Sequence, residues 1–392
     1  MATFPPAPDA QVTLANWRTG PFNAWAFHHV REIVPSADIP HDPAAVRALG
    51  HAPMDTGDLR VAVDGDALGL DSFLAQTHTD GLVVLHRGRV VLERYLNGMG
   101  PHDPHILMSV SKSLLGLLAG ILSDQGALDL EVPVEDILSE MAATGYRGAT
   151  IRQMLDMRTG IAFDEDYFAT SGPIIEYRKS TNWDPLAPGQ APNDLRGFFQ
   201  TLTDQARPHG GAFNYTSPTT DMLAWVFERA TGTRYADLLS THLWQKIGAE
   251  CPGYITVDRL GAPRAAGGVC VTVRDLARLG QMMVEGGGGV VPEAWLDDIA
   301  AVGDMAAWEA GSMADHFPGQ PVHYRSKWYC LRDQGPLVMA TGIHGQNLLV
   351  DRSRELVLAR VSSHPLPVYT PGKTMVLALF AAIRERICGD GA

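Results

Sequence analysis

The feature that most restricts the fold of this chain is where its short aliphatic runs fall. Leu82-Val-Val-Leu85 and the run from Val90 through Tyr95 lie towards one end, joined by His86-Arg-Gly-Arg89. Leu348-Leu-Val350 and Leu356-Val-Leu-Ala-Arg-Val361 lie near the other, joined by Asp351-Arg-Ser-Arg354. Aliphatic runs across a short polar or glycine-containing connection predict paired antiparallel strands. The text between is helical in pattern. From Ser109 to Asp124, Met108, Leu114, Leu115, Leu118, Ile121 and Leu122 form a buried face, with Gly116 and Gly120 permitting close packing. A short helix opens at a Thr150 cap and closes near Gly160. Amphipathic helices are predicted over 217–230, 235–247 and 273–285, and a last one over 375–386. Residues 163–212 read as loops over a cleft. Strands at both ends with helices between predict an α+β fold: one antiparallel sheet flanked by helices, built from both ends of the chain, with a mostly helical lobe inserted. The predicted division is an irregular N-terminal arm over 1–60, packed on the body. An α/β domain follows, formed by 61–125 with 255–392, and a mainly helical domain over 126–254, the active site lying in the cleft between the two.

With 392 residues and 31 Lys plus Arg against 44 Asp plus Glu, the chain carries a net charge of −13. Phosphate binding needs a basic footprint, so nucleic acid is excluded as a partner, and anionic membrane surfaces are disfavoured in the same way. The longest apolar run, Leu114 to Leu122, is about half of what a bilayer requires. The opening Met1-Ala-Thr-Phe-Pro-Pro has neither the basic cluster nor the apolar stretch of a signal peptide. The 4 cysteines are widely spaced, suggesting buried thiols in a reducing cytoplasm rather than a disulfide framework or a zinc site. No metal or cofactor is expected: the His28-His29 pair has no H-E-x-x-H partner. A homodimer is one open arrangement.

Three signals bear chemistry. Ser109-Val-Ser-Lys112 opens an apolar helix, and three residues along a helix place Ser109 and Lys112 on one face. A serine hydroxyl attacks only when a base takes its proton, and a lysine serves as that base when burial keeps it neutral. Helix-start amides supply donors for a developing oxyanion. The same four residues also fit a capping serine and an exposed lysine. Tyr215-Thr-Ser217 precedes a helix capped by Ser217 or Thr219; the tyrosine relays protons if a neighbouring ammonium lowers its pKa, or simply packs beside the cap. Ala340-Thr-Gly-Ile-His344-Gly-Gln-Asn347 runs into a strand, where Gly342 and Gly345 let the backbone aim an N–H at a substrate carbonyl, or form an ordinary turn.

The order S-x-x-K, Y-x-S, x-T-G resembles the serine β-lactamase and penicillin-recognising superfamily. Flanking text over roughly 80–365 is similar to its class C β-lactamase and carboxylesterase branch, notably Thr150 to Gly160, Asp221 to Trp225 and Gly267 to Ala277. Trp25-Ala-Phe27, Leu107 to Ser113, Glu165-Asp-Tyr167 and Gly342 to Asn347 look like the 6-aminohexanoate-dimer (nylon-oligomer) hydrolases. The resemblance implies a β-lactamase/transpeptidase-like fold and a serine hydrolase of small linear amides and esters working through an acyl-enzyme. It implies Ser109 as nucleophile, Lys112 as its base, Tyr215 as proton relay to the leaving group, and the N–H groups of Ser109 and Ile343 as oxyanion donors. Tyr167 would contact the scissile amide nitrogen, Trp183 would ride on a closing loop, and Ser217, Ala266 and His344 would line the substrate. Ala340 replaces the lysine with which penicillin-binding members hold a carboxylate, which argues against β-lactam substrates. Arg178 and Lys179 would repel a substrate ammonium unless Glu165, Asp166 or Glu176 lies nearer. The alternatives are a carboxylesterase with little amidase activity and an inactive binding protein on the same fold.

Overall fold

The computed structural model describes residues 5–389, apart from 64, 318, 333, 334 and 336. The opening Met1 to Phe4, part of the stretch read above for a signal peptide, lies outside them. An eight-stranded sheet runs in the order Val322–Arg325, Trp328–Leu331, Leu337–Gly342, Gln346–Asp351, Leu356–Ser362, Thr79–His86, Arg89–Tyr95, Gly50–His51. Leu356–Ser362 pairs antiparallel with Thr79–His86, setting Val357 opposite Leu85 and Ala359 opposite Val83, and so joins the two ends of the chain. Among the described residues only the edge pair of Gly50–His51 with Arg89–Tyr95 is parallel.

The strands read as continuous apolar runs because both faces of the sheet are covered. Val83, Leu85, Val357 and Ala359 belong to one core with the helices Val110–Asp124 and Val273–Val284. Their alternating neighbours Leu82, Val84, Leu356 and Leu358 belong to a second core with the C-terminal helix Thr370–Cys388. A two-residue side-chain period sends successive residues to opposite faces, so each strand feeds both layers.

The N-terminal stretch, expected as an irregular arm packed on the body, includes a regular strand paired with the body. Trp17, Phe27 and Val30 are buried, and Ser36–Ile39 pairs with Gly253–Thr256. That pair extends into a second, four-stranded sheet with Val269–Val271 and His105–Ile106. Other segments differ locally. The 163–212 stretch contains helices Pro173–Ser180 and Leu195–Gln200, and the helix from Tyr235 passes at Leu239 into a π turn over Ser240–Trp244. Thr150 makes the expected cap, with a reciprocal capping box to Gln153. Cys270 and Cys330 are buried, whereas Cys251 and Cys388 are half-buried; all are free thiols. No described helix is long and apolar enough to cross a membrane.

Candidate active site

Two neighbouring strands of the small sheet deliver the site. His105–Ile106 leads through Met108 into the helix that starts at Val110, and Val269–Val271 follows the turn containing Ala266. Met108 has φ +45°, so the chain turns sharply before Ser109. The end of the strand Leu337–Gly342 presses against this corner. A Cβ on Gly342 would stand 2.9 Å from the Ser109 nitrogen and 2.8 Å from the Leu107 carbonyl oxygen, an approach open only to glycine. Ile343 is the next residue, so its backbone and that of Ser109 meet at one corner of the cleft.

Lys112 is fully buried, one turn into the helix. Its Nζ lies 2.9 Å from Ser109 Oγ, 2.9 Å from Ser217 Oγ and 2.7 Å from the Ala266 carbonyl oxygen. Burial lowers its pKa from the usual lysine value to about 7, against Glu165, which raises it. The directions of these hydrogen bonds follow from the partners. The Ala266 carbonyl can only accept. Ser217 donates its hydroxyl to the Glu165 carboxylate and can therefore only accept from Lys112. A neutral amine has two N–H groups and one lone pair, so the lone pair is left for the Ser109 hydroxyl. With the amine neutral, the Ser109 hydroxyl can donate to Lys112 Nζ, the polarity that nucleophile activation requires.

Glu165 organises this side of the cleft. Its carboxylate accepts from the Ser217 backbone N–H, from the Ser217 hydroxyl and, at 2.7 Å, from the Tyr167 hydroxyl. It therefore supplies the acceptor at the start of the helix Ser217–Thr231, where an anion complements the helix dipole. This corrects the expected cap: neither Ser217 nor Thr219 caps the helix, and the residue before it, Thr216, makes no side-chain cap either.

Asp221, one turn further along, is buried and accepts from the Ala266 N–H at 2.6 Å, from Arg264 at 2.5 Å and from the Tyr177 hydroxyl at 2.5 Å. It pins the turn whose carbonyl holds Lys112. Burial opposes the charge on Arg264, but Asp221, Tyr177 and Glu165 together outweigh it and keep the guanidinium firmly protonated.

Tyr215 joins the cluster from the other side. Lys112 Nζ lies 4.9 Å from its ring centroid, and a hydrogen bond links its side chain to Ser109. Its pKa moves opposite to the expectation. Burial pushes it well above the usual tyrosine value, with Tyr329 and Glu165 adding to the effect. Tyr215 is thus a neutral phenol that can give a proton only while receiving one.

Two cavities meet at Ser109. The larger, about 350 Å³, is lined by Ser109, Tyr215, Tyr167, Ile343, His344 and Phe168 among others. The smaller, about 30 Å³, is lined by Ser109, Ser217, Ala266, Trp183, Arg178 and Arg18 among others. Trp183 is buried, donates its indole N–H to Thr256 Oγ1 at 3.1 Å and meets Trp17 edge-on at 5.3 Å. His344, at φ +62°, is held neutral by burial, its pKa lowered to about 3, and its Nδ1 lies 2.7 Å from the His364 carbonyl oxygen. Lys179 is paired with Glu176 at 2.9 Å, whereas among the described residues the Arg178 side chain donates only to the Tyr167 carbonyl at 3.1 Å. Among the described residues no group of three His, Cys, Asp or Glu side chains could hold a metal ion.

The structure therefore gathers Ser109, Lys112, Tyr215, Ser217, Ala266, Ile343 and Tyr167 around one point, with Trp183 and His344 on the walls of the two cavities. Sequence reasoning missed the parts played by Glu165, Asp221, Arg264 and Tyr177. A carboxylate at position 221, on the apolar face of an amphipathic helix, was the available signal for one of them.

Residues 70–382 match the beta-lactamase family model. The chain is 37% identical over 370 residues to a 6-aminohexanoate-dimer hydrolase of Paenarthrobacter ureafaciens, covering 93% of this chain and 92% of that protein. Among solved structures, a Bacillus anthracis protein provisionally named a 6-aminohexanoate-dimer hydrolase superposes with a TM-score of 0.89, at 24% identity over 99% of this chain and 100% of that one. A D-stereospecific amidohydrolase from a Streptomyces species shares the fold with a TM-score of 0.58, at 17% identity over 82% of this chain and 99% of that one. The chain belongs to the beta-lactamase family, in the branch that contains the 6-aminohexanoate-dimer hydrolase it matches.

Proposed function

We propose that the protein is a serine hydrolase that cleaves small linear amides and esters through an acyl-enzyme formed on Ser109. The observation that carries this reading is the arrangement at Lys112, whose two other contacts leave its lone pair to the Ser109 hydroxyl. Neutral Lys112 takes the hydroxyl proton as Ser109 attacks the substrate carbonyl. The backbone N–H groups of Ser109 and Ile343 meet the developing oxyanion. The protonated lysine then lies against Tyr215, which passes a proton to the departing amine or alcohol and is resupplied from the lysine side. Water entering after the leaving group repeats these transfers in reverse and frees the acid.

The named relatives make the 6-aminohexanoate dimer the first substrate to try. A short-chain p-nitrophenyl ester and a β-lactam reporter complete the set, and Ala340 in place of lysine predicts no turnover of the last. Ser109→Ala is expected to abolish both hydrolysis and labelling by a fluorophosphonate. Unchanged turnover in that variant would eliminate the mechanism, and absence of an adduct on the wild-type protein would favour a binding role. A second reading, a carboxylesterase with weak amidase activity, draws on Tyr167, whose hydroxyl is already given to Glu165. If Tyr167 serves the amide nitrogen, Tyr167→Phe cuts amide turnover more than ester turnover; equal losses make it structural. The free thiols suit a cytoplasmic protein, testable by fractionation.

A further inference from the structure

The two cavities that meet at Ser109 are chemically unequal, and the inequality assigns them to different halves of the substrate. Tyr215 lines only the larger one. A proton donor to the leaving group must touch that group, so the leaving half lies in the larger cavity and the acyl half enters the smaller one. This assignment rests on the serine-hydrolase reading above and narrows its substrate.

The acyl side is rich in guanidinium groups. Arg18, Arg178 and Arg264 all line it, close enough for the charges of Arg178 and Arg264 each to lower the pKa of Arg18. Arg18 is paired with Asp184 and Arg264 with Asp221. The carboxylate of Glu165, which also faces this cavity, is spent on Ser217 and Tyr167. Arg178 has no carboxylate among the described residues and gives a single hydrogen bond, to a backbone carbonyl. The Nε atoms of Arg18 and Arg264 are buried without a hydrogen-bond partner. Buried N–H donors left without acceptors are costly, and a guanidinium that faces a cavity without a carboxylate partner is stabilised when a ligand anion supplies the acceptors. Met108, Ile174 and Trp183 provide the apolar part of the lining, and the volume near 30 Å³ admits only a short chain without rearrangement.

We propose that the acyl pocket selects short acyl groups that end in a carboxylate, with Arg178 as the specificity-determining residue. The substrates would be half-esters or half-amides of short dicarboxylic acids, and an acyl group ending in an ammonium would be disfavoured.

The test uses three ethyl esters of matched length and differing terminal charge: monoethyl succinate, ethyl butyrate and β-alanine ethyl ester, with ethanol release as the readout. The expected order of kcat/KM is succinate, butyrate, β-alanine, with the first and last at least about tenfold apart, a factor worth 1.4 kcal/mol. Arg178→Glu should reverse the order of the two charged esters. Arg178→Gln, which keeps a donor for the Tyr167 carbonyl, should bring them towards equality through KM more than kcat. If the wild-type protein accepts a fluorophosphonate on Ser109 and turns over ethyl butyrate, but the succinate-to-β-alanine ratio is near one and neither variant moves it, the proposal is wrong and the serine-hydrolase reading stands. If Ser109 takes no label and no ester is cleaved, the underlying reading fails and the proposal with it.

Discussion

Two lysines in this protein are equally inaccessible, and only one is placed to do chemistry. Lys112 and Lys327 are each 1% exposed, and burial is the leading cause of a lowered pKa in both. Lys327 lies in the turn between the strands Val322–Arg325 and Trp328–Leu331 and donates to the Met154 carbonyl at 2.7 Å. Its own carbonyl accepts from Ser113, so the turn is fastened to the back of the helix that carries Lys112. The difference lies in what surrounds each amine. Around Lys112, Glu165 and Asp221 pull the pKa back up to about 7, and two acceptors use its N–H groups so that the lone pair faces a hydroxyl. Lys327 sits well below the usual lysine value, with Lys112 itself lowering it further, and among the described residues its amine makes no hydrogen bond to a hydroxyl. Desolvation makes a lysine neutral; directed hydrogen bonds make it a base.

The comparison is broken most severely at the amines themselves. Lys112→Met is expected to lower kcat/KM by roughly 10⁴-fold or more, as loss of a unit in a nucleophile–base pair does, while Lys327→Met stays within about tenfold of wild type. Steady-state kinetics on a p-nitrophenyl ester checks both, and comparable losses would show that burial alone is what matters. Next in size is the seam between the two regions. A Cβ at Gly116 would stand 1.9 Å from the Ser326 carbonyl oxygen, so Gly116→Ala must push the Lys327 turn off the helix. The expected destabilisation is about 1–3 kcal/mol, read from urea unfolding.

Two smaller effects sharpen the contrast. In the proposed mechanism Lys112 acts when neutral, so kcat/KM of the wild-type protein should rise through about pH 7 and then level off. Glu165→Gln removes the carboxylate that raises this pKa, so the rising limb should move to lower pH; a pH–rate profile that stays in place would remove Glu165 from the account. The last prediction concerns stability. A lysine whose folded pKa lies below its unfolded value binds fewer protons in the native state, so stability rises with pH towards about 10.4, the free-lysine value. Lys327→Met should flatten part of that rise, measured as the difference in unfolding free energy between neutral and alkaline pH.

Much of the fold was legible because the signals were local. The runs at Leu82 and Leu356 announced strands, and a sheet closed from both ends of the chain followed from their positions. The π turn after Leu239 and the small sheet of His105–Ile106, Val269–Val271, Gly253–Thr256 and Ser36–Ile39 were not legible. Strands of two to four residues carry too little periodicity, and their partners lie far apart in the chain. The same divide runs through the site. Ser109 and Lys112 are one helical turn apart, so their proximity is a property of the helix. Glu165 reaches Ser217 across 52 residues and Asp221 reaches Ala266 across 45, which no local pattern encodes. The pKa of Tyr215 went the other way because burial, a tertiary quantity, outweighed any neighbouring ammonium.

By itself, then, the amino-acid order determined a serine and an amine on one face of an apolar helix, and the continuous apolar runs that make a doubly covered sheet. Both follow from backbone periodicities that act within a few residues. Tertiary structure alone decided which acceptors occupy the amine's hydrogens, how far its pKa falls, and which guanidinium beside the smaller cavity has no carboxylate partner among the described residues. Those outcomes depend on solvent exclusion and on charges brought together from remote segments, and their energies exist only once the chain has folded.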